Sequence, residues 1–280
     1  MIPISTELVD DAANFNVLVM GKHGSNVDTI IFANINASSR QITLVSIPRD
    51  LWVDGQKING IYGKYGLYEQ VNWIEEVIGY KIHKYILIDM YVFSDVVDLM
   101  GGVDIVLEED LVDPTYKTCD NGTCSTLYYE AGEHHLGGVE ALRIARSRHT
   151  TSDYSRAARQ QIILEGIKNK ATSLGFGDAN ALINIISTVL SSTETDITVD
   201  EAMRYYFRYQ NFELSRGYVL SPANVLSAVP EPVSYVTSRE IKICLDENNP
   251  DTCSTTYALD TLQPREGNWN LIPWYVGSLL

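Results

Sequence analysis

Residues 85–107 read YILIDMYVFSDVVDLMGGVDIVL, and three segments can be separated within them. Tyr85–Ile88 is a short apolar run with the length of a buried strand. Phe93, Val96, Val97 and Met100 then recur at intervals of three and one, which places them on one face of a helix, and the Gly101-Gly102 pair supplies its stop. Val103–Leu107 returns as a strand. Strand, helix, strand in succession is the pattern of a layered α/β domain.

Working outward, Phe15–Met20, Thr29–Ile35 and Ile42–Ile47 are apolar runs broken by Gly/Ser/Asn turns, and they predict core strands. Val71, Ile74, Val77 and Ile78 give Tyr68–Ile78 a helical period that Gly79 can end. Glu108–Glu130 has no period and predicts a surface excursion, while His134 and His135 in AGEHHLGG are expected in a turn. Helices are predicted at Val139–Ser147, Asp153–Ser173, Ala179–Leu190 and Val199–Tyr209. Everything after Gly217 reads as strand-like pieces and turns, finishing in NWNLIPWYVGSLL.

The chain has 280 residues, 45% of them hydrophobic, enough for a sizeable core, and no Pro/Gly/Ser tract or repeat divides it. One domain over 1–280 is expected, with a core at 14–220 and a C-terminal extension, 221–280, packed on it. A formal net charge of −15 argues against nucleic-acid binding by a basic surface. No run of about 18 apolar residues is present, so a membrane anchor, if there is one, is expected upstream of Met1.

All four cysteines fall in two local pairs, Cys119 with Cys124 and Cys244 with Cys253, each flanked by turn formers. Compact zinc-knuckle spacing is missing. Two disulfides closing short loops in an oxidising compartment are the preferred reading, with four free thiols as the alternative.

Against the acidic balance, the stretch RIARSRHTTSDYSRAARQQ carries Arg143, Arg146, Arg148, Arg156 and Arg159 with a single acid, Asp153. Guanidinium groups match phosphate or carboxylate oxygens in pairs, so their convergence suggests a polyanionic ligand. In a helix from Asp153, the residues Asp153, Arg156, Arg159 and Gln160 share an arc that continues as Ile163, Leu164 and Ile167. Such a face points inward, where charge needs a partner or a bound ion; a solvated helix laced by Asp153–Arg pairs is the alternative. Arg49, after the third strand in SIPRD, is a second candidate, because ligands of open α/β sheets sit beyond strand ends. It could equally form an ordinary ion pair with Asp50 or Asp28. GxSxG, Walker and GxGxxG patterns are absent from the sequence.

In order, NVLVMG, the DT at Asp28, TLVSIPRD, KIN, the D-x3-F-x4-D-x2-GGVD run from Asp89 to Asp104, EAGEHHLGGVEALRIARSR and SDYSRAARQQ resemble the LytR-CpsA-Psr family over about Asn16–Lys170. NWNLIPWYV is similar to the family's closing helix. The resemblance implies a three-layer α/β/α fold with a central mixed sheet and an apolar groove for a prenyl chain. It implies an enzyme on the extracytoplasmic face of a bacterial membrane, tethered by one N-terminal helix. That enzyme moves a phosphoglycan from a polyprenyl-pyrophosphate carrier to a cell-wall acceptor such as peptidoglycan, with Mg²⁺ assisting and pyrophosphatase activity as a partial reaction.

Residue by residue, the resemblance assigns the pyrophosphate to Arg49, Arg146, Arg148, Arg156 and Gln160, to which the shared arc adds Arg159. It assigns Asp28 to the metal and phosphates, and Asp153 to a base or orienting role; Asp28, Asp153 and Arg49 are the catalytic candidates. Two departures accompany it. His23 stands where the family has an acid in LG-x-D, and Asn26 where it has an arginine two positions before the acid matching Asp28. A second reading is therefore a polyprenyl-phosphate or pyrophosphate-binding module that does not turn over. A third is a structural domain whose arginines only form salt bridges.

Overall fold

In a computed structural model of the chain, residues 8–120, 123–147, 153–173, 179–215, 217–229, 240–244, 253–257 and 261–280 are described. β1 (Asn14–His23), β2 (Asn26–Asn36) and β3 (Gln41–Ser46) open the chain as an antiparallel meander. A small hairpin of β4 (Trp52–Val53) and β5 (Gln56–Lys57) leads to helices α1 (Ile61–Tyr65) and α2 (Leu67–Ile78). Then come β6 (Lys84–Asp89), α3 (Met90–Leu99) and β7 (Val103–Leu107), the unit read from residues 85–107. Its helix starts where Asp89 Oδ1 accepts the Tyr91 N–H at 3.0 Å, and it ends at Gly101 and Gly102, with φ of 77° and 86°. Those left-handed angles are open to glycine at little steric cost.

β8 (Leu111–Asp120) and β9 (Thr123–Tyr129) form an antiparallel hairpin, and β10 (Gly132–Leu136) pairs with β7. The excursion expected over Glu108–Glu130 is thus regular structure. Leu111 and Leu127 are buried with Val103, Ile105 and Ile144, which gives the hairpin its own small core. His134 and His135 lie on β10 rather than in a turn; His135 Nδ1 is 2.6 Å from Asp104 Oδ1. Alternation along GEHHL, with Leu136 buried and His135 exposed, is the period of a half-buried strand.

α4 (Gly138–Arg146), α5 (Asp153–Ser173), α6 (Ala179–Ser191), β11 (Glu194–Thr195), α7 (Val199–Tyr209), β12 (Glu213–Leu214) and β13 (Tyr218–Val219) follow. β14 (Leu226–Val229) pairs with β17 (Thr261–Pro264), β15 (Glu240–Cys244) with β16 (Cys253–Tyr257), and α8 (Leu271–Leu279) closes the chain. Backbone register sets Cys119 opposite Cys124 and Cys244 opposite Cys253. The cysteine side chains, and with them the disulfide expectation, lie outside the described residues.

The main sheet runs β11-β6-β1-β2-β3-β12, with β13 also on β3. β6 is parallel to β1, and β12 and β13 are parallel to β3, while β2 and β11 run against their neighbours, so the sheet is mixed. Alternation sends Leu18, Met20, Ile30 and Phe32 to one face, against Ile74, Val77 and Ile78 of α2 and Ile272 and Val276 of α8. Val17, Ile31, Ala33 and Leu44 go to the other face, against Leu164 of α5. Helices on both faces make a three-layer α/β/α fold.

Candidate functional site

β1, β3 and β6 are mutually parallel, and their carboxyl ends at His23, Ser46 and Asp89 open onto one cleft of about 230 Å³. The crevice beyond strand ends is where open α/β sheets take ligands. One part of its lining is apolar: Val19, Ile31, Ile88, Met90, Phe93, Leu142, Ala145, Ile163 and Leu164. The other part carries Lys22, His23, Asp28, Arg49, Arg146, Arg156 and Gln160. A charged rim on a greasy channel suits an amphiphile with an anionic head.

Local chain geometry brings the polar groups in. β1 and β2 turn through Gly24 and Ser25, with Gly24 at φ 59°, so the connection is a tight hairpin. Their register slips beside Gly21: Gly21 faces Thr29, Lys22 faces Val27, and Asp28 is the extra residue of a bulge. Bulges re-aim side chains, and here the bulged residue is the cleft's acid. Arg49 follows β3 past Pro48. Its Nη1 donates to Asp28 Oδ1 at 2.7 Å, and its Nε lies 3.5 Å from Asp50 Oδ2. The ion-pair alternative for Arg49 and its place in the cleft are therefore both realised.

Arg156 and Gln160 sit one turn apart on α5 and both reach the cleft; Arg156 is buried, and Gln160 Nε2 donates to the Ala145 carbonyl at 3.2 Å. Arg146, the last residue of α4, lines the rim from across. Arg159 does not line the cleft, which corrects its assignment to the pyrophosphate. Its Nε donates to the Ile144 carbonyl at 3.2 Å and its Nη2 to the Ser147 carbonyl, capping the end of α4. Burial holds its pKa below the usual arginine value, opposed by the nearby Asp113 carboxylate. An arc argument could not separate Arg156 from Arg159, because it leaves open which side of α5 meets α4. Arg148 lies outside the described residues, and of Asp153 only its place as first residue of α5 is described.

Lys22 was missed by motif reading. Its Nζ donates to Glu194 Oε1 at 2.7 Å and to Tyr62 Oη at 3.0 Å, and Tyr62 Oη donates to Glu194 Oε1 at 2.8 Å. Those hydrogen bonds, to Glu194 first and Tyr62 second, raise the Lys22 pKa to about 12. A lysine inside the apolar NVLVMGKH strand was the available signal.

Mg²⁺ takes oxygen ligands, commonly one or two carboxylates completed by substrate phosphates and water. Among the described residues the cleft offers one carboxylate, Asp28, and Arg49 already holds its Oδ1. No group of three or more His, Cys, Asp or Glu is gathered for a metal among these residues. Asp28 is thus the described residue that would hold a Mg²⁺, with substrate oxygens and water completing its shell.

A fold with a cation-lined, partly apolar cleft at the strand ends accompanies a sequence that matches a family model. Residues 4–216 fit the LytR_cpsA_psr family, so the chain belongs to that family. It is similar to the polyisoprenyl-teichoic acid–peptidoglycan teichoic acid transferase TagV of Bacillus subtilis, 28% identical over 204 residues, 69% of this chain and 51% of TagV. A transferase of the same description, TagU of Bacillus licheniformis, is 28% identical over 210 residues, 69% of this chain and 63% of TagU. The chain thus spans less than two thirds of these relatives. Among solved structures, B. subtilis TagV superposes with a TM-score of 0.68 at 23% identity, covering 97% of this chain and 98% of the other. TagT bound to LIIa-WTA gives 0.63 at 19% identity, covering 82% and 88%. These likenesses establish the fold. Among the described residues, no helix is long and apolar enough to cross a membrane.

Proposed function

We propose that the chain binds a polyprenyl-pyrophosphate-linked glycan and transfers its phosphoglycan to a cell-wall acceptor such as peptidoglycan, at the extracytoplasmic face of a bacterial membrane. The observation that carries this reading is the cleft itself: Arg49, Arg146, Arg156 and Gln160 stand at one end of an apolar channel. Teichoic acid transfer to peptidoglycan in the names of the relatives gives the reaction class.

The chemistry asked of the residues is modest. An acceptor hydroxyl oxygen bonds to the glycan-bearing phosphorus, the bond from that phosphorus to the bridging oxygen breaks, and prenyl phosphate leaves. The guanidinium groups of Arg49, Arg146 and Arg156 bind the head group and neutralise charge that grows on the leaving phosphate. Asp153, at the first position of α5 and one turn before Arg156, is the candidate to take the hydroxyl proton. Water in place of the acceptor gives the pyrophosphatase side reaction.

The tight hairpin between β1 and β2, with His23 where the family pattern has an acid, favours a second reading in which the cleft binds the carrier without turning it over. Phosphate release from geranylgeranyl pyrophosphate, measured beside direct binding, separates the two. Release that Arg156→Gln abolishes supports the transferase; tight binding without release supports the receptor; no binding defeats both. Two disulfides, Cys119–Cys124 and Cys244–Cys253, belong to the same proposal on the strength of the facing backbone register. Thiol counting under denaturing conditions tests them, and any free thiol counts against the pairing.

A further inference from the structure

We infer that His23 and Tyr91 form a subsite for the sugar attached to the diphosphate, so that this aromatic pair helps select the glycan the chain accepts. This rests on the cleft being the carrier site proposed above.

The cleft has a place for two of the three parts of such a ligand: an apolar wall for the tail, and Arg49, Arg146, Arg156 and Gln160 for the phosphates. The sheet order β6-β1-β2-β3 sets the ends of β6, β1 and β3 along one edge. Arg49 follows the end of β3, His23 ends β1, and Tyr91 follows the end of β6. β1 and β3 flank β2, so their ends stand two strand spacings, roughly 10 Å, apart. That span takes one phosphate group and one sugar ring in succession.

His23 is exposed and lines the cleft, which puts it at the mouth. Tyr91, 64% exposed, has its ring centroid 6.5 Å from that of His23, with the planes at 71°. One ring thus stands edge-on to the other, and much of the tyrosine is open to a ligand. Both residues sit on regular elements: His23 pairs with Asn26 across the β1–β2 hairpin, and the Tyr91 N–H is fixed to Asp89 Oδ1 at 3.0 Å in the first turn of α3. A pyranose presents a face of weakly positive C–H groups, which meets the negative face of an aromatic ring, while its hydroxyls meet the polar atoms of phenol and imidazole. A tyrosine on a rigid element offers that contact at low ordering cost. His23 stands where the family pattern has an acid, so the pair is a feature of chains that carry this substitution.

The test is calorimetric binding of geranylgeranyl pyrophosphate and of geranylgeranyl pyrophosphoryl N-acetylglucosamine to wild type, Tyr91→Ala, Tyr91→Phe and His23→Ala. Thermal midpoints check that each variant is folded. The sugar is expected to tighten binding to wild type by about three- to tenfold. Tyr91→Ala and His23→Ala should each reduce that gain to less than about twofold, and Tyr91→Phe, which keeps the ring, should retain most of it. A sugar that brings wild type no gain, or a gain undiminished in Tyr91→Ala, overturns the inference and leaves the proposed function standing. Equal loss of affinity for both ligands in Tyr91→Ala also overturns it, since the pair then serves the head group. Chitotetraose provides the acceptor arm: binding that Tyr91→Ala abolishes while the donor gain persists assigns the pair to the acceptor, and the inference falls. Absence of binding of both prenyl ligands to wild type overturns the inference and the proposed function together.

Discussion

Arg159 donates from its buried guanidinium to the backbone carbonyl of Ser147, the residue that ends α4. Ser147 in turn donates from Oγ to Asp113 Oδ2 at 2.8 Å, and Asp113 Oδ1 accepts the Tyr116 N–H at 3.0 Å. One arginine of the cluster therefore joins α5 to the end of α4 and, through Ser147 and Asp113, to the hairpin β8–β9. Removing it strands the buried Ile144 and Ser147 carbonyl oxygens and takes away a positive charge near the Asp113 carboxylate. We expect Arg159→Met to destabilise the chain by about 1–3 kcal/mol in urea unfolding, with the affinity of the folded protein for prenyl pyrophosphate nearly unchanged.

Arg156 should behave in the opposite way. It shares the arc of α5 with Gln160 and faces the cleft, so its charge is directed at the ligand. Charge-assisted hydrogen bonds contribute about 1.5–3 kcal/mol each, so Arg156→Gln is expected to weaken prenyl pyrophosphate binding by about tenfold to a hundredfold. Comparable affinity in the variant and wild type would remove Arg156 from the site.

The contrast between these two arginines marks how far the sequence could be read. Apolar periods placed the strands and helices of the main sheet within a few residues, because burial on two faces of a sheet leaves a strong pattern. Glu108–Glu130 escaped because LVDPTYKTCDNGTCSTLYY alternates weakly and is packed mainly through Leu111 and Leu127; the turn formers beside Cys119 and Cys124 signal a loop, and only the flanking strands complete the hairpin. Motifs single out Arg49, Arg146, Arg156 and Gln160, and the fold brings these four to one cleft. The neighbours of each side chain were not legible, since the Arg159 contacts to α4 and the bulge at Asp28 are tertiary facts that local spacing does not encode.

Lys22, Tyr62 and Glu194 tie the end of β1 to α1 and β11, and their titration gives a stability window. Burial pushes the Glu194 carboxyl up, but hydrogen bonds from Lys22 and Tyr62 outweigh it and hold its pKa below the ordinary value. Its contribution is present above the unfolded carboxyl pKa and is lost as pH falls through the lower folded value. The Lys22 pKa is raised to about 12, so its share is complete below the unfolded value of 10.5 and is lost as pH rises through about 12. Glu194 is nearly half exposed, which limits the cluster to about 0.5–1 kcal/mol. Unfolding free energies of wild type and Glu194→Gln should differ by a constant amount from about pH 6 to 9 and converge below about pH 4. A gap that widens in acid contradicts this account.

Gly138 begins α4 where that helix meets α3, and a Cβ there would press on the Ser94 carbonyl oxygen, its carbon and the Ser94 hydroxyl, far inside contact distance. Two of the three groups are backbone, so the helices must separate rather than a side chain swing aside. Gly138 N–H also donates to Asp98 Oδ1 at 2.7 Å, pinning the two helices at this point. α3 contributes Met90 and Phe93 to the cleft and α4 contributes Leu142, Ala145 and Arg146, so the helix spacing sets the width of the apolar channel. Gly138→Ala is expected to cost about 1–3 kcal/mol in thermal or urea unfolding. It should also weaken binding of a long prenyl pyrophosphate more than that of inorganic pyrophosphate, because the channel wall shifts while, of the three head-group arginines, only Arg146 moves with α4 and Arg49 and Arg156 stay on their own elements. Equal losses for both ligands would show that the α3–α4 wall does not contact the tail.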